Sequence, residues 1–225
     1  MIEPGIVDTW FADLAAAGPD DVALLDEREH ERAGRFVFER DRRRYVRAHA
    51  ALRRILATYL RQDPAALRFE GGAGGKPALA PKVALEFNLS HSDDAALVAV
   101  AGTAVGVDIE AERSFTDVAA LAARNFTPAE QAALAATPAA RRDHAFLAGW
   151  TRKEACLKAV GAGLLLAPSS FDCGLDDAER RVRLRWQDAE RALVVRSFVP
   201  RPHLVGAVAL AVPAGAMLEI RVRSP

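Results

Sequence analysis

One stretch constrains this chain more than any other: Val105-Gly106-Val107-Asp108-Ile109-Glu110. Apolar and acidic residues alternate there as they do along a β-strand, where side chains two apart share a face. Asp108 and Glu110 therefore point one way, and Val107 and Ile109 point the other. Two carboxylates side by side repel each other unless a cation stands between them. Either this is a solvated edge strand, or the fold brings positive charge to it. Two further stretches favour the second reading: Phe87-Asn88-Leu89-Ser90-His91-Ser92 upstream, and Trp150 to Lys158 downstream.

The remaining pattern divides into two halves. Ile6 to Leu14 is a short apolar run whose periodicity does not choose between strand and helix. Asp26 precedes a charged helix to about Arg35, and Asp41 is placed to cap a longer one to about Leu60. Tyr45, Leu52, Ile55, Leu56 and Tyr59 form the apolar stripe of that longer helix, with Ala48 between them. Arg42, Arg43, Arg44 and Arg47 lie in its first turns, where cations oppose the helix dipole, and so hint at an anion nearby. Gly71 to Pro77 reads as a flexible loop with Lys76 at its end, and no Walker pattern follows it. Segments Glu86–Ser90, Ala95–Ala101 and Ala104–Glu110 are extended, with Ala101-Gly102-Thr103 expected to join the last two as a hairpin.

In the second half, Asp117–Asn125 reads as helix. Thr127-Pro128-Ala129-Glu130 carries a capping box with proline at the first helical position. Thr137-Pro138 is expected to start a long helix that Gly161 stops. Four strands follow, Arg181–Trp186, Ala192–Val199, Val205–Val212 and Leu218–Val222, expected as one antiparallel set. The expected fold is therefore α+β: two similar, pseudo-symmetric lobes, residues 1–103 and 104–225. Each is an antiparallel sheet packed on a long helix, and the site lies in the cleft between them.

Composition narrows the function. The 30 Lys and Arg residues balance 30 Asp and Glu residues, which argues against general nucleic-acid binding. With 51% hydrophobic residues the chain can bury a substantial core. The two cysteines, Cys156 and Cys173, are expected as buried free thiols in a reduced cytosol. No apolar run approaches the roughly 18–20 residues of a spanning helix, and the first residues do not read as a signal peptide. A soluble cytoplasmic protein with no membrane span is expected.

On the long second-half helix, Trp150, Glu154 and Lys158 stand four apart on one face. A surface Glu–Lys pair is the plain explanation, but the tryptophan implies that this face is partly buried. Oxygen ligands from Asp108, Glu110 and Glu154, with no His/Cys cluster, would select a hard cation such as Mg²⁺, with Mn²⁺ also open. Lys76, His91, Lys158 and Arg44 are then candidate phosphate ligands.

Gly75-Lys76-Pro77, Phe87-Asn88-Leu89-Ser90-His91-Ser92, Gly106-Val107-Asp108-Ile109-Glu110 and Trp150-x-x-Lys153-Glu154-Ala155-x-x-Lys158 occur in that order. Together they resemble the signature set of the 4′-phosphopantetheinyl transferases. The resemblance covers about Arg32 to Phe171, and the chain length resembles the monomeric, surfactin-synthetase-activating (Sfp-like) branch. It implies transfer of the phosphopantetheine arm of coenzyme A to a serine hydroxyl of an acyl or peptidyl carrier protein, with release of adenosine 3′,5′-bisphosphate. By the same resemblance Asp108, Glu110 and Glu154 would bind Mg²⁺. Lys158 and His91 would hold the diphosphate with Ser90 beside it. Lys76 would border the nucleotide, and Arg44 would match a residue for the 3′-phosphate. Glu130 matches a proposed general base, although its capping box accounts for it equally well. Arg28 and Arg32 stand among acidic residues where relatives can place lysines for the 3′-phosphate. Gly161 to Leu166 is either a helix stop or part of the carrier groove, which Arg113 and Arg124 would help to steer. The rival readings are a metal-dependent diphosphate or phosphodiester hydrolase, and a non-catalytic coenzyme A or carrier-binding protein.

Overall fold

The computed structural model describes residues 2–16, 18, 20–71, 75–212 and 217–223. Gly72-Ala73-Gly74, the middle of the glycine loop, lie outside the described residues. In the first half β1 (Ile6–Asp13), α1 (Glu27–Gly34), α2 (Glu39–Leu60), β2 (Arg68–Gly71), β3 (Pro77–Ala80), β4 (Glu86–Ser92) and β5 (Ala95–Ala101) follow in order. The second half holds β6 (Val105–Ala111), α3 (Val118–Asn125), α4 (Pro128–Ala136), α5 (Arg142–Val160), β7 (Arg180–Trp186), β8 (Ala189–Phe198), β9 (Leu204–Leu210) and β10 (Glu219–Arg223). The class is α+β, as the sequence implies.

Two four-stranded sheets, β10-β1-β5-β4 and β6-β9-β8-β7, carry the molecule, and β2-β3 form a separate ribbon. Alternation decides which face goes where. On β5, Leu97, Ala99 and Ala101 turn inward to meet Val105, Val107 and Ile109 of β6 and Val208 and Leu210 of β9. The two sheets thus share one core. Val98 and Val100 of β5 turn outward, onto Leu52, Ile55 and Leu56 of α2. On the far side Ala155, Cys156, Leu157 and Ala159 of α5 cover Leu193, Val195, Ala207 and Ala209. Full burial of one such aliphatic side chain is worth about 1.5–3 kcal/mol, so these three interfaces dominate the stability. Both cysteines are buried and free.

Four local expectations need correction. Ala101-Gly102-Thr103 makes no hairpin, because β5 and β6 belong to different sheets and the link carries the chain across. The last strand does not join the antiparallel set: β10 pairs parallel to β1 in the first sheet, Ile6 opposite Glu219 and Trp10 opposite Arg223. Helix α2 begins at Glu39 with Phe38 as its cap residue, so Asp41 lies inside the first turn, where its charge favours the helix dipole. A 3₁₀ turn, Ala139–Arg141, precedes α5, which starts at Arg142.

Helix α1 is held to α2 by charge. Asp26 caps it in a capping box with Glu29. The Arg53 side chain, fully buried on α2, donates to Glu29 Oε2 at 2.7 Å and Asp26 Oδ2 at 2.8 Å. Burial alone would raise the Glu29 pKa. Hydrogen bonds from His49, the Asp26 backbone and Arg53 outweigh it and lower the value from 4.5 to about 2. A depressed carboxylate stabilises the fold above its unfolded pKa, and that contribution is lost as pH falls toward 2. The urea midpoint of the wild type is therefore expected to fall more steeply between pH 5 and pH 3 than that of Glu29→Gln. Parallel midpoints would show that the ion pair contributes nothing.

Candidate active site

The site is built where edge strand β4 runs beside edge strand β6. No backbone ladder joins them, and polar side chains of β4 bridge the seam. Asn88 Oδ1 accepts from the Val107 backbone N–H at 2.9 Å. Ser90 Oγ donates to Asp108 Oδ1 at 2.8 Å. Ser92 Oγ donates to Glu110 Oε2 at 3.1 Å and accepts from the Ala111 N–H at 3.1 Å. Asn88, Ser90 and Ser92 are successive residues of one strand face, so the alternation of this motif is what stitches the two sheets together.

Gly106 sets the distance between β6 and α5. A Cβ there would lie 2.0 Å from the Ala155 carbonyl oxygen and 2.4 Å from the Ala159 nitrogen. Only a residue without a side chain lets the helix backbone press against the strand. That contact delivers Lys158 to the carboxylates: its Nζ lies 2.6 Å from Asp108 Oδ1 and 2.9 Å from Ser90 Oγ.

The carboxylates are poorly compensated. Asp108 is 5% exposed, and its Oδ2 is buried with no hydrogen-bond partner. Burial pushes its pKa up, against the pull of Lys158 and Ser90, and the Glu110 charge adds to the rise. Glu154 is raised too, by burial first and then by the charges of Asp108 and Glu110. Glu110 is better served, with Arg113 Nη1 2.8 Å from its Oε2. Three carboxylates thus share a region into which Lys158 is inserted at Asp108, while Arg113 stands at Glu110. Among the described residues no His, Cys, Asp or Glu side chains stand as a ready-made metal cage. Lys158 occupies Asp108 Oδ1, and Arg113 and Ser92 hold Glu110. The donor set still suits a hard divalent ion, because the orphaned Asp108 Oδ2 and the raised Glu154 are both relieved by positive charge.

The other candidate residues frame this cluster. Leu89 packs with Ala48 of α2, and His91 shares that face of β4 rather than the face of Ser90. His91 is exposed at its outer edge, yet the protein packed around it lowers its pKa, and Lys158, His49 and Arg44 add to the shift. Arg44 is held by Asp94 at 2.9 Å and Asp93 at 3.4 Å in the β4–β5 turn. Lys76 donates to the Val105 carbonyl at 2.7 Å, and burial lowers its pKa. It lines a cavity of about 370 Å³ with Lys82, Glu86, Phe87 and Gly161.

Comparison with known proteins gives this geometry a family. Residues 104–211 match the model of the 4′-phosphopantetheinyl transferase superfamily, and residues 19–103 match that of the 4′-phosphopantetheinyl transferase N-terminal region. The 4′-phosphopantetheinyl transferase psf-1 of Bacillus pumilus is 34% identical over 184 residues, covering 82% of this chain and 78% of that protein. The chain belongs to the 4′-phosphopantetheinyl transferase superfamily. The transferase HetI of Nostoc is 41% identical over 149 residues, 64% of this chain and 63% of HetI. Sfp of Bacillus subtilis is 24% identical, with 85% of this chain and 84% of Sfp covered.

One candidate of this transferase is not brought to the cluster. Glu130 is 2% exposed at the N-terminus of α4. Its Oε2 accepts from the Thr127 N–H at 2.8 Å and lies 2.7 Å from Lys153 Nζ. Its Oε1 accepts from the Cys173 N–H at 2.7 Å. Both oxygens are thus committed to the fold. Lys153 also donates to the carbonyls of Pro168 and Phe171, and the fully buried Arg152 donates to those of Cys173, Asp176 and Ala178. The consecutive residues Arg152, Lys153 and Glu154 therefore divide their work. Two anchor the segment after α5, and the third turns to the carboxylates. Sequence reasoning missed both anchors, since buried Lys and Arg are rare. It also missed the bridging roles of Asn88 and Ser92, although polar residues at every second position of a buried strand are a usable signal.

Proposed function

We propose that this chain transfers the 4′-phosphopantetheine arm of coenzyme A to a serine of an apo acyl or peptidyl carrier protein, with Mg²⁺, and releases adenosine 3′,5′-bisphosphate. Family membership supports the reaction class. The buried, unpaired Asp108 Oδ2 beside Lys158 and Glu154 supports the place. Mg²⁺ held by Asp108, Glu110 and Glu154, with Mn²⁺ as the alternative, would supply charge neutralisation of the diphosphate. Lys158 exchanges Asp108 for the leaving phosphate and protonates or neutralises it. Ser90 and His91 orient the diphosphate, Lys76 borders the nucleotide, and Arg44 faces the ribose phosphate. We assign the proton acceptor for the carrier serine to the carboxylate cluster, through Glu110 or Glu154, rather than to Glu130, whose two oxygens are committed to Thr127, Lys153 and Cys173.

Leu165, 79% exposed just beyond α5, and the exposed Arg124 of α3 suit an acidic carrier with an apolar contact point. A two-lobe division near residue 103, with β10 returning to the first lobe's sheet, pseudo-symmetry, the Sfp-like branch, a monomeric state and a cytoplasmic location complete the reading. No helix among the described residues is long and apolar enough to cross a membrane.

Intact-mass measurement tests this directly. Apo carrier domains incubated with the protein, coenzyme A and Mg²⁺ are expected to gain the mass of the phosphopantetheine arm, and EDTA is expected to stop the gain. Cleavage of coenzyme A with no carrier present would instead make the protein a hydrolase.

A further inference from the structure

Each strand carboxylate of the site faces a cation of its own. Lys158 stands on Asp108 and serves the transfer chemistry. Arg113 stands on Glu110 and takes no part in that chemistry. Of this second pair, the carboxylate is the fixed member. Strand β6 holds its backbone in register with Val205 of β9. Glu110 Oε2 accepts from Ser92 Oγ at 3.1 Å, and Ser92 is pinned in turn by the Ala111 N–H at 3.1 Å. Arg113 lies two residues past the end of β6, with its side chain 50% exposed against 19% for Glu110. Its Nη1 reaches the same Oε2 at 2.8 Å, and its guanidinium rests over the Phe115 ring, 5.2 Å from the centroid. A long stem with a half-exposed head has room to swing, and the carboxylate it touches has not. The neighbouring acid, Glu112, is turned instead to His144 Nδ1 at 2.8 Å and His203 Nδ1 at 3.5 Å.

An arginine seated on a metal ligand works against the metal, because two cations competing for one oxygen also repel each other. The effect is not confined to Glu110. Its charge acts on both Asp108 and Glu154, so a cation gained or lost there is felt through the cluster. Phe115 packs with Val118, Leu121 and Ala122, which places Arg113 beside α3, the helix of the exposed Arg124. Lifted from Glu110, its guanidinium is a planar fork that matches a carboxylate on a docking partner.

We propose that Arg113 is a latch between the divalent ion and the carrier. It occupies Glu110 while both are absent, and an acidic side chain of the carrier draws it away. Carrier and ion therefore each tighten the binding of the other, by the same factor. Arg113 is a positioning residue, acting through Glu110. The inference rests on the metal and carrier reading above.

Binding of Mn²⁺ alone, followed by the EPR signal of the free ion, tests the latch without any transfer. Arg113→Met keeps an apolar stem on Phe115 and removes the charge, and Arg113→Lys returns the charge. Arg113→Met is expected to bind Mn²⁺ about fivefold more tightly than wild type, the lower end of coupling between sites, because the pair is half exposed. Arg113→Lys is expected to bind as wild type does. An apo carrier domain should tighten Mn²⁺ binding to wild type about fivefold and leave Arg113→Met unchanged. Equal Mn²⁺ affinity in wild type and Arg113→Met overturns the proposal, as does a carrier effect that persists in Arg113→Met. Mn²⁺ binding to neither protein removes the latch and the metal reading together. Both effects in a wild type that transfers nothing would leave the latch standing while the transferase reading fails.

Discussion

Asp108→Asn is expected to lose transfer by roughly a thousandfold, the scale of removing a preorganised electrostatic group from an active site. Its fold should survive. The carboxylate is buried with one oxygen unpaired and another shared between Lys158 and Ser90, and burial works against its charge. A neutral amide of the same shape keeps an acceptor for Ser90 and removes an ion whose desolvation is costly. What it removes as well is the anion that pairs with Lys158 and that the proposed divalent cation would need. Thermal melting beside a holo-carrier mass assay checks both halves of the expectation. Wild-type turnover in this variant, with trace metal excluded, would detach the chemistry from this residue. A collapsed melting temperature would mean that the carboxylate serves the core.

Gly106→Ala should be severely damaging for a change of one methyl group. The new Cβ falls on backbone atoms of α5, at 2.0 Å from the Ala155 oxygen and 2.4 Å from the Ala159 nitrogen. Neither can swing aside as a side chain end would. The helix must lift from β6 as a body, disturbing its packing on β8 and β9. A cost of about 3 kcal/mol or more follows from overpacking of this kind. The same lift separates Lys158 from Asp108, so surviving protein should be slow as well as unstable. Urea unfolding and kcat are the measurements. A variant with the wild-type midpoint would show that the helix tolerates the displacement, and the close contact would lose its role in aligning the site.

Much of this was legible before any coordinates. Alternation in Val105 to Glu110 fixed which carboxylates pair, and spacing in Trp150 to Lys158 fixed which helix face meets them. The capping boxes at Asp26 and Thr127 form through contacts three residues apart, which is why local sequence reports them faithfully. The failures have long-range causes. Ala101-Gly102-Thr103 looks like any tight turn, and nothing local says that Ala101 and Val105 belong to different sheets. β10 finds its partner more than two hundred residues back in the chain, and its own residues alternate equally well for a parallel or an antiparallel neighbour. Glu130 carries both a family motif and a structural capping signature, and only the buried Lys153 beside it shows where its oxygens are spent. Lys153 itself reads as a surface residue until the carbonyls of Pro168 and Phe171 are seen around its ammonium.

The parallel pairing of β10 with β1 bears on how the molecule is made. Arg223 donates to Asp8, which also accepts from Tyr59, whose hydroxyl in turn accepts from Trp10. All of this waits for a segment that leaves the ribosome after every other described strand. Until then β1 has β5 on one side and an open flank on the other, a template for any passing strand. The earliest-made sheet is thus the last to be sealed, and crowded synthesis at high temperature should cost this protein more yield than its final stability would suggest.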